Sequence, residues 1–532
     1  MSGSVDRFDR MADIVVVGFG AAGAVSAIEA HDAGAEAVIL EKMADPGGLS
    51  AISAGGIRVC LDVEEGYRYL RATCGGRTPD DILRALAEGM AIVPDYVRRL
   101  ARTSDAEVTV TPSLGNYPLP GYEALAYCQV VRVPALDAVA EYRAIVGIKD
   151  GTKLFKVLED NVVGRAIPVL YGTPARRLLR DGDGAIVGVL ATDTDGNPLR
   201  IGARKAVILA CGGYEHDEEM KRQYFQAQPV LTGSFAGNTG DGIRMAQAAG
   251  AALWHMWHYH GPYGMRHSDP DYPFGLYMKA VPMWTPGRTD QVSDLGITDL
   301  KGNKVAQKSL ARMAWILVDR TGRRFMDEYP PYPGDTGVRP FDAFDSKTQS
   351  FPRIPAYAVF DEDGRKMYPI GRSVTNDRHF RYQWSQDNLR EVESGILKRA
   401  DSREALAAAM GVPLDALQRT LDEWNAACAA GHDGAFGRLP DTMVPIRTPP
   451  FYFAEIYPIV INTQGGPVHN VHQQVLNPFG EPIPRLYAAG ELGSKFGHLY
   501  VGGGNLAECF VGGWTAGRHA AGLDARVALP GG

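Results

Sequence analysis

The sequence predicts an α/β protein with α+β insertions, its main sheet parallel and assembled from segments far apart in the chain. Three observations predict it. The chain opens on an apolar strand, a glycine turn, an alanine-rich helix and a second strand. Two later stretches, "KAVILACGG" (205–213) and "PRLYAAGELG" (484–493), each run a strand into a glycine turn again. The chain between these returns is too long for simple crossovers and must hold inserted structure.

The opening unit is the most informative. "DIVVV" (13–17) is a short apolar run bounded by glycine, the pattern of a buried parallel strand. "GFGAAG" follows, with Gly18, Gly20 and Gly23 in GxGxxG spacing around Ala21 and Ala22, and the helix runs on to Gly34. The second strand, "AVILEK", ends in Glu41 and Lys42. Such glycines give a tight turn and a close approach to a pyrophosphate resting on the helix N-terminus. An acidic residue about 20 positions on accepts the ribose hydroxyls. This is a Rossmann-like dinucleotide site. "PGGLSAISAGG" (46–56) then supplies Gly48, Ser50, Ser53, Gly55 and Gly56, more glycine and serine than a plain crossover needs. The returns supply Ala210, Gly212 and Gly213, then Gly490 and Glu491. A nicotinamide-binding domain would be contiguous, so pieces spread this widely favour FAD in a discontinuous FAD-binding domain.

The inserts complete the partition. Residues 64–146 are expected to be mostly helical, with a tyrosine-rich loop, "GNYPLPGYEALAY", containing Tyr117 and Tyr122. Residues 1–254 form the first part of the FAD domain, 255–440 an inserted catalytic or substrate domain, and 441–532 the closing part of the FAD domain. Within the insert, "AWILVDRTGRRFMDE" reads as a hairpin and 402–431 as two surface helices. The histidines of "WHMWHYHGPYGMRH" lack the spacing and third ligand of a metal site. That stretch reads as pocket or core, with Tyr259 and Tyr263 facing a pocket.

The 532 residues, 45% hydrophobic and 22% charged, suit a globular protein of two or three domains. A net charge of −7 without a basic stripe argues against a nucleic-acid partner. Six scattered cysteines with no CxxC pair read as reduced thiols, so a cytoplasmic location is expected. The N-terminus lacks a signal-peptide core, and no apolar run reaches membrane-spanning length.

With these pieces in order the chain resembles the succinate dehydrogenase/fumarate reductase flavoprotein superfamily. The resemblance spans nearly the whole length. It rests on "VVVGFGAAG…VILEK", "GGLSAISAGG", "VILACGGY", "NTGDGIRMAQAAGA" (238–251, with Asn238, Gly240 and Asp241), "ILVDRTGRRFMDE" and "LYAAGELG…GGGNLAE" (with Asn505 and Leu506). The covalent members attach FAD to a histidine in the loop corresponding to "GGLSAIS"; none lies there, which implies non-covalent FAD. Fumarate reductases carry arginines where Tyr332 and Val501 stand, which argues against a dicarboxylate substrate.

At those two places the chain is similar to 3-ketosteroid 1-dehydrogenases. Their tyrosine base in an "NE…PY" context is matched by Asp327, Glu328, Pro331 and Tyr332. Their "GHxYPGPG" loop is matched by Gly497, His498, Tyr500, Gly502 and Gly504, with Val501 and Gly503 in place of its prolines. The resemblance implies that Tyr332 is the general base, aided by Tyr117 or Tyr122. It implies that Tyr500 O–H and the Gly504 N–H polarise a ketone oxygen. The expected partners are a small apolar ketone or enone and an electron acceptor that no motif identifies. Two rival readings are an enone reductase running the same chemistry backwards and an electron-transfer subunit without its own substrate.

Overall fold

The computed structural model describes residues 8–142, 150–280, 312–372 and 382–523, and the backbone of 297–298 and 304–305. The chain divides into two compact units: residues 1–220, 235–259 and 462–532, and residues 221–234 and 260–461.

The first unit is built on the predicted sheet. Arg10–Val17 lies between two parallel neighbours, Ala37–Leu40 (Val15 opposite Val38) and Pro198–Leu209 (Val15 opposite Val207). Pro482–Ala488 adds in parallel to Pro198–Leu209, pairing Tyr487 with Ile208, so the last segment returns beside the first. Val169–Leu170 extends the other side, and Ala175–Arg180 and Ile186–Thr192 form an antiparallel flap on Pro198–Leu209. The apolar runs have the composition of strands buried on both faces. Helix Ala21–Asp32 leaves the glycine turn and packs along the C-terminal helix Gly504–Ala521. A side chain at Gly513 would reach within 2.7 Å of Ala22 O, and one at Gly517 within 2.4 Å of Ser26 O. Glycine four residues apart therefore lets the two helix backbones meet.

The first insert is only half helical. Helices Val63–Cys74 and Asp80–Ala101 occupy its start, but Glu107–Pro112 and Leu125–Arg132 are strands. They form an antiparallel sheet in which Leu125–Arg132 lies between Glu107–Pro112 and Ile57–Cys60. The β-branched alternation of "EVTVT" carried that signal.

The second unit holds another eight-stranded sheet, centred on Phe451–Val460. Ala356–Asp361, Tyr263–Met265 and Lys398–Ala400 pair with that strand antiparallel, and Leu231–Thr232 pairs with it parallel. Because this strand is the hub, residues 441–461 belong here rather than with the C-terminal segment. Helices Arg403–Met410 and Leu414–Ala430 cover the sheet, and Leu406, Leu417, Leu421 and Trp424 bury against Ile316, Val359 and Phe453. The expected hairpin at 314–328 is only half formed. Ile316–Val318 is a strand and the turn closes with Val318 opposite Arg324, but the return leaves the sheet. The Glu328 carboxylate takes its place, accepting the Leu317 N–H at 2.9 Å. Among the described residues no helix is long and apolar enough to cross a membrane.

Candidate functional site

In the first unit the strand ends converge on a cleft. Its lining includes Gly18, Gly20, Ala21, Ala22, Glu41, Lys42, Gly48, Ser50, Ala210, Gly212, Asn238, Asp241 and Glu491, all expected from sequence. Gly18 has φ +104°, and a side chain there would sit 2.5 Å from Ala210 O. At Gly23 an added Cβ would lie 1.9 Å from Gly18 O, so the third glycine brings the helix onto its own turn. Gly20 differs. A Cβ there meets nothing nearer than Ser50 Oγ at 3.4 Å, so it would fill the cleft rather than strike the protein. That is the cradle a pyrophosphate needs, at a helix start whose N-cap glycine offers no side chain.

The charged groups fit the same occupant. Glu41 accepts the Phe19 and Met43 N–H groups at 2.8 Å each. A carboxylate has about four acceptor positions, so acceptor capacity is left for ribose hydroxyls. Burial raises its pKa, and those two N–H bonds pull it back. Lys42 Nζ reaches Thr239 Oγ1 at 2.6 Å and Asp241 Oδ2 at 2.7 Å, tying the second strand to the 238–241 turn. Glu491 accepts the Thr463 N–H at 2.9 Å, and burial pushes it up to about 8. These residues fit FAD.

Other expected residues lie outside this lining. Ser53 bonds Ser50 O and the Gly55 N–H, shaping the loop, while Gly55 abuts Asp150 O and Gly56 the Tyr127 ring. Gly213 makes room for Thr463 and Glu491 behind the cleft; Gly240 packs on Met220, and Gly490 on Ala22. Asn505 joins a buried network with Asn462, Gln464 and Glu508, and Leu506 is buried beside it. Thr173, Phe235 and Cys211 line the cleft without having been foreseen.

The Tyr500–Gly504 loop is fastened from several sides, all within the first unit. Arg58, 1% exposed, donates Nε to Gly502 O at 2.9 Å and Nη1 to Leu114 O at 3.2 Å. Its Nη2 donates to the Tyr127 hydroxyl, and the Tyr127 hydroxyl donates to Gly502 O at 3.2 Å. Asn116 Oδ1 accepts the Gly502 N–H at 2.8 Å, and Tyr117 O–H donates to Tyr500 O at 3.0 Å. Tyr117 thus supports this loop, whereas Tyr122 contributes its backbone to the turn beneath. Upstream, His255 and His258 pair with the carbonyls of Ser494 and Phe496.

One expectation is corrected here. The Gly504 N–H donates to Val501 O at 2.7 Å, closing the first turn of the C-terminal helix, so it is not the ketone's second donor. A side chain at Gly504 would strike the Phe496 ring at 2.4 Å, and one at Gly503 would strike Gly56 O at 2.6 Å. Internal packing demands these two glycines. Tyr500 itself is buried against Phe496, ring centroids 5.6 Å apart. Burial holds its phenol well above the ordinary value, while the Asn505 backbone N–H pulls the other way. Its hydroxyl therefore keeps its proton at neutral pH.

Tyr332 belongs to the second unit. It precedes the short helix Pro333–Thr336 with φ +51° and ψ 68°, a left-handed conformation unusual for a bulky residue. Its hydroxyl lies 2.9 Å from His260 Nε2. Below it Glu328 is fully buried between Arg324 (2.6 Å) and Arg438 (3.3 Å). Burial works to raise that carboxyl, but the two guanidiniums hold it below the usual range. Asp327, without such partners, is pushed by burial up to about 6. Tyr263 is core rather than pocket, bonded to Trp315 Nε1 at 3.3 Å, and Tyr259 is buried. Among the described residues no three His, Cys, Asp or Glu side chains gather as metal ligands would.

A family model described as an FAD binding domain matches residues 13–266 and 284–506. The chain is 28% identical to digoxin reductase of Eggerthella lenta, over 96% of this chain and 87% of that one. It is 27% identical to 3-oxosteroid 1-dehydrogenase of Mycobacterium tuberculosis, over 96% and 98%. The fold is shared with 3-ketosteroid Δ1-dehydrogenase of Sterolibacterium denitrificans, solved with 1,4-androstadiene-3,17-dione. That structure gives a TM-score of 0.75 at 21% identity, covering 96% of this chain and 99% of that one.

Proposed function

Because the chain belongs to the FAD-binding family of succinate dehydrogenase and fumarate reductase flavoproteins, we propose that it desaturates a cyclic ketone between the carbons α and β to its carbonyl. The observation that carries this reading is the chemistry standing where the dicarboxylate enzymes have arginines. Val501 is fully buried and cannot pair a carboxylate, and Tyr332 offers a phenol hydrogen-bonded to an imidazole. A site without those guanidiniums suits a neutral carbonyl compound.

Bound FAD supplies the two-electron acceptor for the β hydride. The chain's own residues do the rest. Tyr332 Oη takes the α proton, and Tyr500 donates its hydroxyl to the carbonyl oxygen, where charge grows as the enolate forms. A buried phenol with a raised pKa is suited to that second task, because it stays protonated. Loss of one such donor typically costs about 2.7–4 kcal/mol of barrier. Arg58, Asn116 and Tyr117 fix the Tyr500 loop beforehand, so the donor needs no rearrangement during reaction.

The similarity to digoxin reductase supports a second reading, in which the same tyrosines protonate and polarise an enone that is being reduced. Two assays separate them. Ketone-driven reduction of an artificial electron acceptor is expected under the first, and oxidation of reduced viologen by an enone under the second. An enzyme active only in the viologen assay would refute desaturation.

A further inference from the structure

We propose that His260 is the proton partner of Tyr332, a positioning residue that lets a phenol act as base at neutral pH. Three features of the second unit hold the pair together. The Tyr332 hydroxyl lies 2.9 Å from Nε2. The two rings stack, with centroids 5.4 Å apart and planes 21° from parallel. Beside them Gly334 leaves just enough room: a side chain there would meet Nε2 at 3.4 Å and Tyr332 Cε2 at 3.8 Å.

The backbone supports the same conclusion. Tyr332 keeps φ +51°, and its carbonyl accepts the Asp335 and Thr336 N–H groups at 3.0 and 3.1 Å. A non-glycine residue held in a sparsely populated region is strained, and such strain collects where a side chain must be aimed. Here it aims the phenol at the imidazole.

A lone tyrosine with an ordinary pKa near 10 is phenolate in only about one molecule in 10³ at pH 7, whereas an ordinary imidazole is mostly neutral there. With Nε2 unprotonated, both requirements are met by one relay. The α C–H bond breaks and its electron pair becomes the enolate. The proton goes to Tyr332 Oη, and the hydroxyl's own proton passes to His260 Nε2. The phenol ends neutral and the imidazole ends as imidazolium. Run backwards, the same path protonates carbon, so the relay serves either direction. It rests on Tyr332 being the residue that exchanges a proton with the substrate.

Two measurements on the FAD-loaded protein test it. The first needs no substrate. With ¹⁵N-labelled histidine, the resonance absent from His260→Gln should show an unprotonated Nε2 accepting a hydrogen bond, and should move in Tyr332→Phe. An N–H on that Nε2 overturns the relay whatever the substrate is. The second is single-turnover flavin reduction by 4-androstene-3,17-dione. His260→Gln should slow it by on the order of 10²-fold or more, with ligand affinity within about threefold of wild type. The His260→Gln/Tyr332→Phe double variant should be no slower than Tyr332→Phe alone, because both substitutions break one relay. Wild-type speed in His260→Gln, or losses that multiply in the double variant, overturn the proposal. A wild-type flavin that no ketone or enone alters refutes the proposed function instead, and leaves the resonance test standing.

Discussion

Replacing Arg58 by lysine tests whether the Tyr500 loop is held in place from the three-stranded sheet. Arg58 is 1% exposed, and its three nitrogens donate to Gly502 O at 2.9 Å, Leu114 O at 3.2 Å and the Tyr127 hydroxyl, with longer bonds to Ser113 O and Asn116 Oδ1 at 3.5 Å. Its guanidinium also lies 3.8 Å from the Tyr127 ring centre. A lysine ammonium on a flexible stem reaches one of those partners and cannot reproduce the fork. Two charge-assisted hydrogen bonds are then lost, at about 1.5–3 kcal/mol each, or about 3–6 kcal/mol together. The loss is local. The Arg58 N–H still donates to Gly503 O, and the packing of the first helix on the C-terminal helix is untouched. Amide hydrogen exchange reads the effect without a substrate. At about 1.4 kcal/mol per tenfold, the Gly502 and Gly504 amides should exchange on the order of 10²–10⁴-fold faster. Amides of Ala21–Asp32 should hold their protection and FAD its stoichiometry. Unchanged exchange at Gly502 and Gly504 in Arg58→Lys would refute the clamp.

The two tyrosines should fail differently when changed to phenylalanine. Tyr332→Phe should bind ketone yet nearly stop reducing its flavin, while Tyr500→Phe should slow reduction by on the order of 10²–10³-fold and weaken product binding; equal behaviour in stopped-flow and product titration would contradict the assignment. Acid precipitation should leave the yellow FAD in the supernatant, since no histidine lies in 46–56; colour in the pellet would contradict non-covalent binding. Asp327 is raised from its ordinary 3.8 to about 6, so the folded state binds the extra proton between those values. Its stabilising effect is present at low pH and lost as pH rises through about 6. Relative to wild type, the Tm of Asp327→Asn should therefore rise between about pH 4 and 6 and level off above, and a constant difference would show that Asp327 does not titrate there.

The strand–turn–helix–strand unit was legible because every element of it is local. Gly23 packs on Gly18 O and Glu41 accepts the Phe19 N–H, so the contacts lie within the first 41 residues and their spacing implies them. The sheet of Ile57–Cys60, Glu107–Pro112 and Leu125–Arg132 was only partly legible: "EVTVT" alternates, but Ile57–Cys60 pairs with Leu125–Arg132 across two intervening helices, and no adjacent hairpin announces it. Arg58 escaped notice for a related reason: its partner Gly502 lies 444 residues away and is met through a backbone carbonyl, which no residue type marks. The glycines after Tyr500 were visible, but what they make room for was not. Sequence shows that a side chain is excluded, not whether a ligand or Phe496 excludes it. His260 stood out only as one of several histidines; its meaning depends on Tyr332, 72 positions on, adopting a left-handed backbone.

The most direct test is an anaerobic titration of the FAD-loaded protein, following flavin absorbance, with 4-androstene-3,17-dione and smaller cyclic ketones on one side and succinate on the other. Desaturation predicts that a ketone bleaches the flavin and yields a product with a new double bond conjugated to the carbonyl, while succinate changes nothing. Bleaching by succinate with no response to any ketone would contradict the account, because buried Val501 and the Tyr332–His260 pair provide no guanidinium for a dicarboxylate.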